Sequence, residues 1–141
     1  MQELSLIEVQ LYKLLTAFFG RENVVPNMRV IAICGGQLPT EIRDSISVNG
    51  VKMNDWACAN RGLFTIVDGQ DLPRMVVEFF SSTDQTLDVR ELEHKQYLQP
   101  ILAAAGVRYV TISEGELAEM LDPRGNLDLC SFLEAQVDCL S

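Results

Sequence analysis

The chain has 141 residues, 48% of them hydrophobic, and a formal net charge of −9. That length suits one domain with a core of its own, and the composition excludes a disordered chain. No apolar run approaches the roughly 20 residues that span a bilayer, and Glu3 near the start, with no basic run, excludes the pattern of a secretion signal, so the expected setting is the cytoplasm.

The charge is uneven. Residues 113–141 hold seven acids against Arg124, a net of −6, which leaves −3 for residues 1–112. An acidic chain disfavours broad nucleic-acid binding, which needs basic surface to replace counterions; a local site in the first part of the chain is less strongly disfavoured. Cys34, Cys58, Cys130 and Cys139 form no CxxC pair and stand apart from the single His94. Ordinary reduced thiols are expected rather than a zinc site.

In chain order, residues 3–19 have the spacing of an amphipathic helix: Leu4, Ile7, Leu11, Leu14, Leu15 and Phe18 recur at three- and four-residue steps, and Gly20 supplies a stop. Glu8 falls beside the apolar stripe, where a flanking solvated acid is expected. Val24 to Cys34 is expected to be the first strand, with an irregular start at Pro26-Asn27 and an end at Gly35-Gly36. No Lys-Ser/Thr follows the glycines, so a phosphate loop is not indicated. Pro39 and Thr40 open a short helix over 39–47, Asn49-Gly50 makes a turn, and Trp56 is expected to pack in the core.

Leu63–Val67 and Met75–Phe80 form two apolar runs around Asp68–Arg74, the pattern of a β-hairpin. With the turn at Gly69–Leu72, Asp68 pairs with Pro73 and Leu63 with Glu78. Side chains alternate along a strand, so Val76, Glu78 and Phe80 share one face with Leu63 and Arg61 of the partner strand. Glu78 is the odd residue there. A carboxylate among buried apolar neighbours costs several kcal/mol unless something pairs with it; Arg61, Arg90, His94 and Lys95 are the candidate partners.

Ser81–Gln85 is a polar connection, and Asp88–Ala105 is mostly helical, with a kink or restart expected at Pro100 and a stop at Gly106. Val107–Ile112 follows as a strand. A strand reached through a helix is most easily parallel to its predecessor, and such strands are buried on both faces. Ser113 and Glu116 have capping-box spacing for a helix to Leu121, and Asp122–Asn126 is a turn. Leu129, Phe132, Leu133, Val137 and Leu140 share a helical face expected to dock on the chain's own sheet, a partner's surface being the other use.

The expected fold is therefore α/β, one domain: a core over 1–112 made of a helix, a three-strand antiparallel meander, a crossover helix and a parallel fourth strand, with an acidic helical extension over 113–141. This order resembles the restriction-endonuclease-like fold of the PD-(D/E)xK superfamily. The stretches LSLIEVQLYKLL, ENVVPNMRVIAI, LFTIVDGQDLPRMVVEFF and LQPILAAAGVRYVTI resemble an uncharacterised bacterial domain-of-unknown-function family, number 2726, itself similar to very-short-patch-repair endonucleases. The match covers about residues 4–112.

In the active pattern of that superfamily, an Asp on the first hairpin strand and a Glu on the second hold a divalent metal. A Lys or acid two residues after the Glu completes the site, and a helix-one Glu often joins. The resemblance implies Glu78 as the strand acid and Glu8 as the helix acid, with Mg²⁺ as the ion. Leu63 stands where the Asp belongs and Phe80 where the Lys belongs. Asp68 lies five residues along the ladder from Glu78's partner, roughly 16 Å away at ~3.3 Å per residue, too far to share an ion. Asp55 could reach the site only through an unusual loop. Lys95 is a candidate for a migrated catalytic lysine.

Three functions are weighed. The first is a degenerate, catalytically inactive nuclease-like module that binds or scaffolds and needs no cofactor. The second is a Mg²⁺-dependent nuclease with a rearranged site of Glu8, Glu78 and Lys95 or Asp55. The third is a protein that self-associates, as a homo-oligomer, or binds a partner through its C-terminal helix. A Ser-His-Asp hydrolase is disfavoured, because His94 lies in a charged RELEHK run with no nucleophile motif nearby.

Overall fold

A computed structural model describes residues 4–43, 50–80, 92–125 and 128–133. The expected helical residues 44–47, Asn49, the Ser81–Gln85 connection, Asp88, Arg90, Asn126, Val137 and Leu140 lie outside the described residues.

Helix α1 spans Leu6–Phe19 and buries Leu11 and Leu15. Ser5 starts it with a capping box, and Gly20, at φ 96°, ends it by donating its N–H to the Thr16 carbonyl at 2.9 Å. A 3₁₀ turn, Arg21–Asn23, leads into β1, Val24–Pro26.

The expected strand to Cys34 is cut short. Asn27 adopts a positive φ of 54°, and Val30–Ile33 is a short helix, α2. Pairing continues briefly beyond β1: Asn27 N–H donates to Leu63 O, Gly62 N–H to Met28 O and Val30 N–H to Asn60 O, each within 3.0 Å. A helix then wins because Val30 and Ile33, three residues apart, face the same core. A short apolar run carries no periodicity that separates strand from helix.

Two more helical segments precede the hairpin, α3 at Thr40–Arg43 and α4 at Met53–Ala59. The hairpin is β2, Phe64–Val67, and β3, Pro73–Phe80. Phe64 pairs with Val77, Thr65 with Val76 and Ile66 with Met75, the expected register. It slips at the turn. Val67, not Asp68, faces Pro73, and Arg74 is the extra residue of a bulge. The Asp68 carboxylate accounts for the slip: it accepts the N–H groups of Gln70 at 2.8 Å and Leu72 at 3.1 Å, while Asp71 takes φ 61°.

Residues 92–105 are helical, through a π-helical turn at His94–Leu98 that runs into α5, Gln99–Ala105. Gln99 N–H donates back to His94 O, and Pro100 sits in the first turn of α5. The hydrogen bonding changes from π to α at Gln99, so the helix restarts one residue before Pro100, as expected. Gly106, at φ 74°, stops the helix. β4, Arg108–Ser113, then pairs parallel to β3, Glu78 beside Thr111. Ser113 and Glu116 form the expected capping box for α6, Glu114–Leu121.

The protein is thus a mixed α/β fold around a four-stranded sheet of order β1-β2-β3-β4, antiparallel except for β3 with β4. Apolar cores cover both faces. One holds Leu11, Leu15, Met75, Val77, Phe79, Val110, Ile112 and Leu117. The other holds Val30, Ile33, Trp56, Val76, Tyr97, Leu98, Ile101 and Leu102. β3 is the strand buried on both faces from Met75 onward. β4, expected to be so, lies at the sheet edge and buries only Val110 and Ile112.

Residues 129–133 are helical and bury Leu129, Phe132 and Leu133 in the α1-side core. The described part of the C-terminal segment therefore docks on the chain's own sheet. Phe132→Ala is expected to lower the unfolding free energy by about 3 kcal/mol or more. Urea titration checks this, and a loss under ~1 kcal/mol would mean the segment is not core.

Candidate functional site

Because β3 is central and its side chains alternate, Met75, Val77 and Phe79 face α1, while Val76, Glu78 and Phe80 face the layer of α2, α4, the π-helical turn and α5. Glu78 is 1% exposed, a carboxylate inside the sheet–helix interface. Its Oε1 accepts the Leu63 N–H at 3.0 Å. That is one of the interactions that offset the cost of burying a polar group.

The local backbone at the start of β2 makes this possible. Leu63 lies in a bend just before the strand. Its side chain joins the α1-side core instead of the Glu78 face, which corrects the expected facing. Gly62 points to the Glu78 side instead, where a Cβ would stand 3.1 Å from Val76 Cγ1 and 3.4 Å from Ile33 Cδ1. A Cβ there would require the Val76 side chain to give by a few tenths of an ångström. Leu63 thus offers Glu78 a backbone donor.

Phe80 is buried and meets the His94 ring edge-on at 5.4 Å. His94 is 7% exposed, with Nδ1 3.0 Å from the Tyr109 hydroxyl. Trp56 stacks on Tyr97 at 5.1 Å, as core packing. The site is therefore a polar inset in an apolar layer: Glu78 with Thr111 beside it on β4, and His94 joined to Tyr109. His94 was a candidate partner for Glu78 from sequence, but its charged neighbours hid its burial. The available signal was position: it lies four residues before Leu98, on the face expected from Leu98, Ile101 and Leu102 to be buried.

The other sequence candidates do not converge here. Glu8 completes the α1 capping box, its Oε1 accepting the Ser5 N–H at 2.8 Å. The Ser5-Leu6-Ile7-Glu8 spacing was itself the signal for that role. α1 lies against the other face of the sheet, so β3 and its neighbours stand between Glu8 and Glu78. Lys95 and Asp55 are exposed. Arg61, expected beside Glu78, is also exposed and donates from Nη1 to Asn27 O at 2.9 Å. Asp68 is committed to its turn and to Arg74 Nε at 2.8 Å.

Sharing one Mg²⁺ requires two carboxylates within ~2.1 Å of the ion, whereas Glu8 accepts from Ser5 at the start of α1 and Glu78 accepts from Leu63 inside the sheet–helix interface. Among the described residues, no three His, Cys, Asp or Glu side chains form a group that could hold a metal. No family model matches the chain, and neither a curated protein nor a solved structure does.

Glu78→Ala removes an acceptor from a buried N–H and leaves a hole, so a loss of about 2–4 kcal/mol is expected, with Glu78→Gln costing less because its carbonyl can still accept. Comparable denaturation midpoints for the two variants would refute this role.

A separate prediction concerns acid. The N–H groups of Leu72 and Gln70, with Arg74, hold the Asp68 carboxyl below its ordinary value of 3.8. A depressed carboxyl contributes stability that is fully present above the unfolded value and fades as pH falls through the folded one. Asp68→Asn should therefore flatten the stability curve below about pH 4, measured by melting temperature against pH. An unchanged acid limb would count against it.

Proposed function

We propose that this chain is a degenerate member of the restriction-endonuclease-like superfamily, of the uncharacterised bacterial family its sequence resembles, acting in the cytoplasm as a non-cleaving binding or scaffolding module. The order of elements supports the fold reading: a helix, an antiparallel meander β1-β2-β3, a helical crossover and a parallel β4. The observation that carries the functional reading is the setting of Glu78. The one strand acid of the pattern is buried and accepts the Leu63 N–H, with Phe80 two residues on packed against a histidine ring. The pattern's other two positions thus hold hydrocarbon residues.

A Mg²⁺ nuclease with a rearranged site needs Glu8 and Glu78 on one ion, and the intervening sheet argues against that pairing. Lys95, exposed on the π-helical turn, does not repair the site. Self-association through the C-terminal helix is the weaker reading for the described residues, since Leu129, Phe132 and Leu133 are occupied in the core.

The test is an assay of the purified chain on supercoiled, linear and single-stranded DNA and on RNA, with Mg²⁺ and with Mn²⁺. No metal-dependent cleavage is expected. Reproducible cleavage that disappears in folded Glu78→Gln protein would overturn the reading.

A further inference from the structure

Arg29 and Arg61 are direct partners in an isolated antiparallel bridge between the segments that follow β1 and precede β2. Residues directly opposite one another in such a pair send their side chains to the same face, with Cβ atoms ~4.5–5.5 Å apart. Both arginines are exposed. The backbone beneath them is pinned on either side of the bridge, by Gly62 N–H to Met28 O at 2.9 Å and Val30 N–H to Asn60 O at 3.0 Å. Arg61 is held further by its bond from Nη1 to Asn27 O.

This pairing runs against the composition. The chain has twenty acids and eleven bases, so carboxylate partners are plentiful. Yet the ion pair seen between described residues is Arg74 with Asp68, and no described acid is paired with Arg29 or Arg61. Like charges directly opposite each other destabilise a β-pair. An oxyanion placed between them reverses the sign, because each guanidinium presents a planar fork of donors that matches phosphate oxygens.

We propose that Arg29 and Arg61 form a binding site for a phosphate group. The site uses neither Glu78 nor His94 and does not rest on the nuclease-like reading. Its chemistry suits a free phosphate or phosphomonoester as well as a phosphodiester of a nucleic-acid backbone. The net charge of −9 disfavours broad nucleic-acid contact, so a phosphodiester bound here would be a local contact.

The test titrates the full chain with inorganic phosphate at constant ionic strength, following amide chemical shifts. Saturable shifts around Arg29 and Arg61 are expected, with binding at least about tenfold weaker in R29Q/R61Q and unchanged in R124Q. R29Q alone should weaken binding while leaving the phosphate-free melting temperature unchanged or raised, since it removes a repulsion. A parallel titration with a short DNA duplex separates the sources. A duplex that binds much more tightly than inorganic phosphate and is displaced by it assigns the site to backbone phosphodiesters. Phosphate binding without preference for the duplex assigns it to free phosphate or a phosphomonoester. If neither probe binds, or if R29Q/R61Q binds as well as the parent, the proposal is overturned.

Discussion

The structure depends on the burial of β3. It pairs with β2 on one side and β4 on the other, and apolar layers cover both of its faces. Every residue from Met75 to Phe80 is out of solvent. An acid in that run has to find its partners inside the protein. The bend at Leu63 and the bare Cα of Gly62 supply one of them, a backbone N–H at 3.0 Å. The geometry of the β2 start is therefore tied to the chemistry of position 78.

The two faces are built differently. On one, α1, α6 and residues 129–133 bring a nearly all-hydrocarbon surface to Val77, Phe79, Val110 and Ile112. On the other, short helices and the His94–Ala105 segment admit polar groups: Glu78, His94, Thr65 and the Tyr109 hydroxyl. Thr65 Oγ1 and Trp56 Nε1 are buried on that side without a hydrogen-bond partner among the described residues. Unsatisfied groups of this kind are scarce in folded proteins. The buried polar groups described here thus lie mainly on the face away from α1.

Much of the architecture was legible in the sequence, for reasons that differ by element. α1 and the 92–105 helix carry several turns of apolar spacing, and Gly20 and Gly106 mark their ends. The hairpin register followed from alternation about a short turn, and Glu78 stood out as an acid in a buried run. Val30–Ile33 was not readable as a helix, since four apolar residues carry no period. Nor was the Leu63 facing, which turns on a bend that alternation cannot anticipate. Glu8 was expected to be a flanking solvated acid, and the resemblance alone offered it as a site acid, although Ser5 three residues earlier gave it a local role. The Arg29–Arg61 pairing is a long-range contact between irregular segments, and no local pattern announces it.

The π-helical turn at His94–Leu98 has an evolutionary consequence. Such a turn holds one residue more than the ordinary spiral would, so it behaves as a removable codon. Loss of a single residue there would restore regular pitch and leave the helix on either side close to its present facing, because the wide turn already absorbs the added residue. A change of length at this point would therefore spare the packing of Leu98, Ile101 and Leu102.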